Sequence, residues 1–211
     1  MNLFRITILL GLALPTFANG EEPVYANDFQ SAEVRKTPKD FLVIAGAFTV
    51  QEDGGKKFLE LPGSPLDTFG ALFGPAKMEG LSVAGKFFGT KTGRKFPAFG
   101  LSLNGAGGYR LQVSAAKKQL EIFKGDEARA NVPFEWKDAA WLSLRIQARQ
   151  TPAGAWVIEG KAWSAGDAEP EKWTVALEEK DAPASGRPGL WGSPFSGTPI
   201  RFDDIAVTAI R

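Results

Sequence analysis

The chain has 211 residues, 44% apolar and 23% charged, the balance of a globular protein. It contains neither cysteine nor histidine, which excludes Ser-His-Asp and Cys-His catalysis, disulfides and any zinc held by His or Cys. With 25 basic residues against 24 acidic ones and no long run of one sign, the charge pattern argues against nucleic acid and anionic membrane as partners.

Residues 1–20 read as a secretory signal peptide. Met1 to Arg5 is a short positive start, Ile6 to Leu14 is apolar, and Pro15 breaks the run. Thr16-Phe17-Ala18 and Ala18-Asn19-Gly20 put small residues where a signal peptidase cuts, and the run is too short to span a bilayer. The expected product is a single domain over residues 21–211, secreted or periplasmic, with no membrane insertion after cleavage. Losing Arg5 leaves it with 24 basic and 24 acidic residues.

In the rest of the chain, apolar and polar residues alternate with period two. In chain order, the expected strands are Gly46–Gln51, Lys57–Leu61, Leu81–Phe88, Phe99–Leu103, Tyr109–Val113, Leu120–Lys124, Leu142–Ala148, Trp156–Trp163, Trp173–Leu177 and Ile205–Ile210. Asp67–Lys77 is the one stretch read as a short helix or irregular segment. Gly and Pro clusters punctuate the strands, as at Asp53-Gly54-Gly55 and Asn104-Gly105-Ala106-Gly107-Gly108. Short strands at this spacing predict an all-β two-sheet sandwich or a barrel.

Three motifs in order then resemble one superfamily. Trp141-Leu142-Ser143-Leu144-Arg145-Ile146 is the first. Gly160-Lys161-Ala162-Trp163, followed by Gly166, Glu169-Pro170 and Trp173, is the second. Gly186-Arg187-Pro188-Gly189-Leu190 leading to Phe202-Asp203-Asp204-Ile205-Ala206-Val207 is the third. Together, with Asn27-Asp28-Phe29 as an opening strand, they resemble the concanavalin A-like lectin/glucanase superfamily of secreted bacterial jelly-roll domains. Some of the look-alikes bear the name 3-keto-disaccharide hydrolase. The resemblance implies an antiparallel jelly-roll sandwich, with sugar bound on one sheet face.

The glucanases of that superfamily carry clustered carboxylates on one strand, spaced for a retaining mechanism. Here Glu121-Ile122-Phe123-Lys124-Gly125-Asp126-Glu127 comes nearest, with Lys124 where an acid is needed. The candidate ligand contacts are therefore the polar members of the alternating strands: Arg110, Gln112, Arg145, Gln147 and Lys161, with Trp141 and Trp163 as stacking platforms for a sugar ring. Glu121 and Glu159 are the candidate acid/base residues. The competing reading is a solvated sheet face laced with ion pairs, such as Glu159 with Arg145. Strand parity fixes the face of each residue but not its sheet. Trp136 and Trp191 are expected by loops, and Trp156 and Trp173 in the core or hairpin.

The resemblance also implies a structural calcium at Asp203, with Asn27 or Asp28 opposite. The alternative is that Asp203 caps backbone N–H groups. Three functions follow: a non-catalytic glycan-binding module, a hydrolase of a glycoside or 3-keto-disaccharide, and a structural or adhesion component of the cell envelope.

Overall fold

The computed structural model describes residues 22–76 and 80–210. The expected signal peptide, residues 1–20, lies outside them. Fifteen strands are found in the described residues: β1 (Tyr25–Asn27), β2 (Leu42–Ala45), β3 (Thr49–Asp53), β4 (Lys56–Leu61), β5 (Phe69–Leu72), β6 (Leu81–Phe88), β7 (Ala98–Leu103), β8 (Tyr109–Ser114), β9 (Gln119–Lys124), β10 (Glu127–Pro133), β11 (Leu142–Gln150), β12 (Trp156–Ser164), β13 (Val175–Glu179), β14 (Gly189–Ser193) and β15 (Ile200–Ala209).

They form two antiparallel sheets. Sheet A runs β13-β12-β11-β6-β15-β4-β3, with β1 paired to the second half of β15. Sheet B runs β10-β9-β8-β7-β14-β5-β2. The fold is thus the expected all-β two-sheet sandwich. The alternation explains it: Leu142, Leu144, Ile146 and Ala148 face inward from β11, and Leu111 and Val113 do so from β8. Between the sheets, Phe87 stacks on Phe99 at 5.5 Å and meets Phe202 edge-on at 5.4 Å, while Phe48 tilts against Phe202 at 5.8 Å. A second aromatic file, Tyr25-Phe73-Phe41-Phe29, closes the end of the core beside β1.

The sequence reading needs correction in three places. The segment expected as helix or irregular, Asp67–Lys77, contains β5. Phe69 and Ala71 point inward there while Gly70 and Leu72 point outward, a four-residue alternation too short to stand out. The strands β2, β10 and β14 were not anticipated. The closing strand begins at Ile200, five residues before the expected start.

Candidate functional site

The structure divides the predicted contact residues between two opposite surfaces. Arg110, Gln112 and Glu121 lie on the outer face of sheet B, on β8 and β9. Arg145, Gln147, Glu159, Lys161 and Trp163 lie on the outer face of sheet A, on β11 and β12. They do not line one groove. Chain neighbours β8-β9 and β11-β12 each form a hairpin, but the hairpins belong to different sheets.

On sheet A the polar residues are held by one another and by the loop between β12 and β13. Glu159 accepts two hydrogen bonds from Arg149, at 2.8 and 2.9 Å, and one from Gln147 at 2.7 Å. The ion pair expected between Glu159 and Arg145 is therefore replaced by one with Arg149, because Arg145 turns to the loop. Glu169, from that loop, lies 2.8 Å from Arg145 and 2.7 Å from Lys161. Lys161 also donates to the Pro170 carbonyl at 2.7 Å and sits 4.6 Å over the Trp173 ring. The Lys161, Glu169, Pro170 and Trp173 of the second sequence motif are thus parts of a single latch that fastens the loop to the sheet. Trp173 belongs to this latch and not to the inter-sheet core.

On sheet B the register builds a different surface. Across one row stand Gly70, Trp191, Gly100, Gln112 and Glu121. The neighbouring row holds Leu72, Gly189, Ser102, Arg110 and Phe123. The two central strands, β14 and β7, therefore present Gly, Ala and Ser outward, with Trp191 rising from among them. By register, this makes a strip of small residues along the middle of the sheet, called the trough below. Leu42, Ile44 and Leu72 stand on one side, and Arg110, Gln112, Glu121 and Phe123 on the other.

Glycine is required in the floor at Gly100, where a Cβ would come within 2.1 Å of the Leu111 carbonyl oxygen. At Gly70 a Cβ has ordinary space, with its nearest neighbour 3.6 Å away. Trp191 thus has glycine in register on both sides, at Gly70 and Gly100. The sequence reading placed Trp191 by a loop. Its signal was the alternation of Gly189, Trp191 and Ser193 with the inward Leu190 and Gly192, obscured by so much glycine.

Arg110 is sandwiched between the rings of Trp191, at 4.3 Å, and Phe123, at 4.6 Å. Burial lowers its pKa below the ordinary arginine value, opposed by the charges of Asp126 and Glu121. Its Nε donates to Gln112 at 3.1 Å, and Gln112 donates to the Ser114 hydroxyl at 2.7 Å. Ser114 in turn donates to Glu121, whose carboxylate Lys117 also approaches at 3.2 Å. This chain fixes the guanidinium plane and the Gln112 amide before any ligand arrives. Glu121 is only 2% exposed, so the trough offers it as a buried anchor of that network.

Trp141 and Trp163 come together, lining a cleft of about 120 Å³ with Phe134 and Trp136. Asp203 lies elsewhere on sheet A. One of its oxygens accepts the Asp204 N–H at 2.8 Å, while Asp28 turns to the Gln30 N–H at 3.1 Å. Calcium needs about six oxygens. Among the described residues no group of three or more His, Cys, Asp or Glu side chains is arranged to hold a metal. Asp203 follows the backbone-capping alternative.

Burial and the neighbouring Asp204 carboxylate raise the Asp203 pKa to about 7. Below about pH 3.8, the ordinary value, Asp203 is protonated both folded and unfolded. Between there and 7 the folded state keeps a proton that the unfolded state has released, so stability falls as pH rises. Asp203→Asn is therefore expected to raise stability by about 1–2 kcal/mol at pH 8, allowing for solvent screening of a half-exposed site, and to lose that advantage below pH 4. Denaturant melts of both proteins at pH 3.5 and pH 8 test this; an equal gain at both would refute it.

No protein-family model matches the chain, and no curated protein matches its sequence. Solved structures do. A carbohydrate-binding module, CBM66 from Bacillus subtilis, is 13% identical with a TM-score of 0.55, over 81% of this chain and 96% of that one. A protein of unknown function with a galectin-like fold, also from Bacillus subtilis, is 11% identical with a TM-score of 0.62, over 90% and 98%. The metal-free carbohydrate recognition domain of Emp46p is 10% identical with a TM-score of 0.59, over 89% and 97%. The chain shares with them the lectin-type jelly-roll fold.

Proposed function

We propose that this protein is a glycan-binding module that takes its ligand in the trough on sheet B. Trp191 carries the reading: Arg110 covers one face of its indole, and the other, flanked in register by Gly70 and Gly100, is the face against which a sugar ring stacks. Arg110 and Gln112, already oriented, supply donors to ring and hydroxyl oxygens. The printed names of the neighbours support the same reading, since two of them are carbohydrate-binding domains. A leader-like first 20 residues would bring such a module to glycans outside the cytoplasm.

The register rows bring one carboxylate, Glu121, to the trough, and Ser114 and Lys117 occupy it. That arrangement suits binding better than the paired-carboxylate hydrolysis of glycosides. The test is a glycan array probed with the wild type, Trp191→Ala and Gly70→Leu. Gly70→Leu fills the trough from a position with room for a Cβ. Hits on the wild type should fall about tenfold or more in both variants, in line with the loss of a central aromatic contact, while thermal melts stay close to wild type. A blank array, or hits indifferent to both substitutions, would refute the trough as a glycan site.

A further inference from the structure

A second concavity lies on the opposite face of the sandwich. It is a groove of about 400 Å³ on the outer face of sheet A, bordered by Phe58, Lys86, Trp141, Gly166, Arg201 and Asp203, among others. Three observations make it more than a surface fold.

The first is a ladder of flat groups. Trp141 lies 5.5 Å from Phe88, Arg201 lies 5.6 Å over Phe88, and the same guanidinium lies 4.5 Å over Phe58. The Arg201 plane is fixed by Glu60 at 3.2 Å and Asp53 at 3.4 Å.

The second is a local distortion. In a regular strand Asp203 and Asp204 would point to opposite faces. Here the register between β15 and β6 shifts after Asp203, and Asp204 takes a φ of 45°, in the left-handed region that costs a non-glycine residue energy. The bulge turns both carboxylates to the groove, where Lys86 donates to Asp204 at 2.6 Å. Bulges that re-aim side chains in this way recur beside binding sites. Among the described residues Asp203 makes no salt bridge; the Lys86 ammonium is bonded to Asp204 and reaches Asp203 only through its charge.

The third is charge. Asp53, Asp203 and Asp204 are matched by Lys56, Lys86 and Arg201 around the groove, so its rim has donors and acceptors side by side and no net sign to attract an ion. On its other side Trp141 also walls the smaller aromatic cleft, where the buried Trp136 indole N–H finds no acceptor among the described residues.

We propose that this groove is a second saccharide site, taking an uncharged, polyhydroxylated sugar. The Trp141 ring stacks on the sugar's C–H face, Asp203 accepts its hydroxyl protons, and Lys86 donates to its oxygens. With the trough on the other sheet, the module grips two glycan chains, or two stretches of one, from opposite sides. Such a two-sided module gains avidity on a polymer when both sites engage together.

The array that tests the trough separates the two sites if it carries neutral glycans and adds three variants. Trp141→Ala removes the platform. Asp203→Asn removes the acceptor charge with little change in shape. Gly166→Phe blocks the groove from a position where a Cβ meets nothing within 4 Å. Each is scored alone and together with Trp191→Ala, with a thermal melt for folding.

The proposal expects the hits weakened by Trp191→Ala to stay measurable, and that remainder to drop a further tenfold (about that or more) when Trp141→Ala or Gly166→Phe is added, the size of a central aromatic contact. If Trp191→Ala alone clears the array, the groove proposal is overturned and the trough reading stands. If only the groove variants clear it, the trough reading fails and the groove stands. Hits unmoved by all three groove variants, or an array blank for the wild type, overturn the groove proposal.

Discussion

Replacing Phe87 by alanine is expected to cost about 4 kcal/mol, the upper range for emptying a buried aromatic position. Phe87 is fully buried, and β6, which carries it, lies between β11 and β15. Its ring is stacked on Phe99 of sheet B and meets Phe202 edge-on, so one side chain couples both sheets. The loss combines apolar area returned to water, a cavity between the sheets and two ring contacts. A domain has about 5–15 kcal/mol in all, so the variant should unfold at much lower denaturant. Phe87→Leu, which refills most of the volume, should cost less than half as much. Urea titration of both variants checks the ranking, and equal midpoints would contradict it.

Glu169→Ala is expected to be the most damaging change outside that core, at about 3 kcal/mol. It takes their shared carboxylate from two cations: the Arg145 and Lys161 side chains are 14% and 7% exposed, and both approach Glu169. Lys161 keeps the Pro170 carbonyl and the Trp173 ring, which limits the damage. The loss comes from desolvated positive charge that has lost its carboxylate, so it should shrink when a cation is removed as well. Adding Lys161→Met to Glu169→Ala is expected to recover about 1–2 kcal/mol, a coupling measurable in a double-mutant cycle. Additive losses would mean that the latch contributes packing alone. A freed loop should also be cut more readily by protease between residues 165 and 174.

Period two located the strands that alternate cleanly. Phe99–Leu103, Tyr109–Val113 and Leu120–Lys124 were read to within a residue at either end of β7, β8 and β9. It failed where alternation is weak. Leu42–Ala45 is apolar throughout because β2 is an edge strand with Leu42 and Ile44 left in solvent. Gly189–Ser193 reads like a loop because of its glycines, which stand where a Cβ would crowd neighbouring side chains, Ser102 at Gly189 and Leu61 at Gly192.

The same limit governs the candidate site. Parity placed Arg110, Gln112, Arg145 and Lys161 correctly on outer faces. It could not say that the connection after β10 carries the chain from one sheet to the other, and that crossing separates the two pairs. The bulge at Asp203-Asp204 was invisible for a related reason. Nothing in Phe202-Asp203-Asp204-Ile205 announces an extra residue; the shift shows only against β6.

The last strand sits in the interior of its sheet. β15 pairs with β6 on one side, with β4 along its first part and with β1 along its second. Until residues 200–209 have been synthesised, β1 lacks its partner, and β4 and β6 each have an open edge. A growing chain therefore cannot complete sheet A before β15 is made, and the many pairings distant in sequence slow closure further. The order of the strands alone sets this delay, because the strand that locks sheet A comes after every strand it joins.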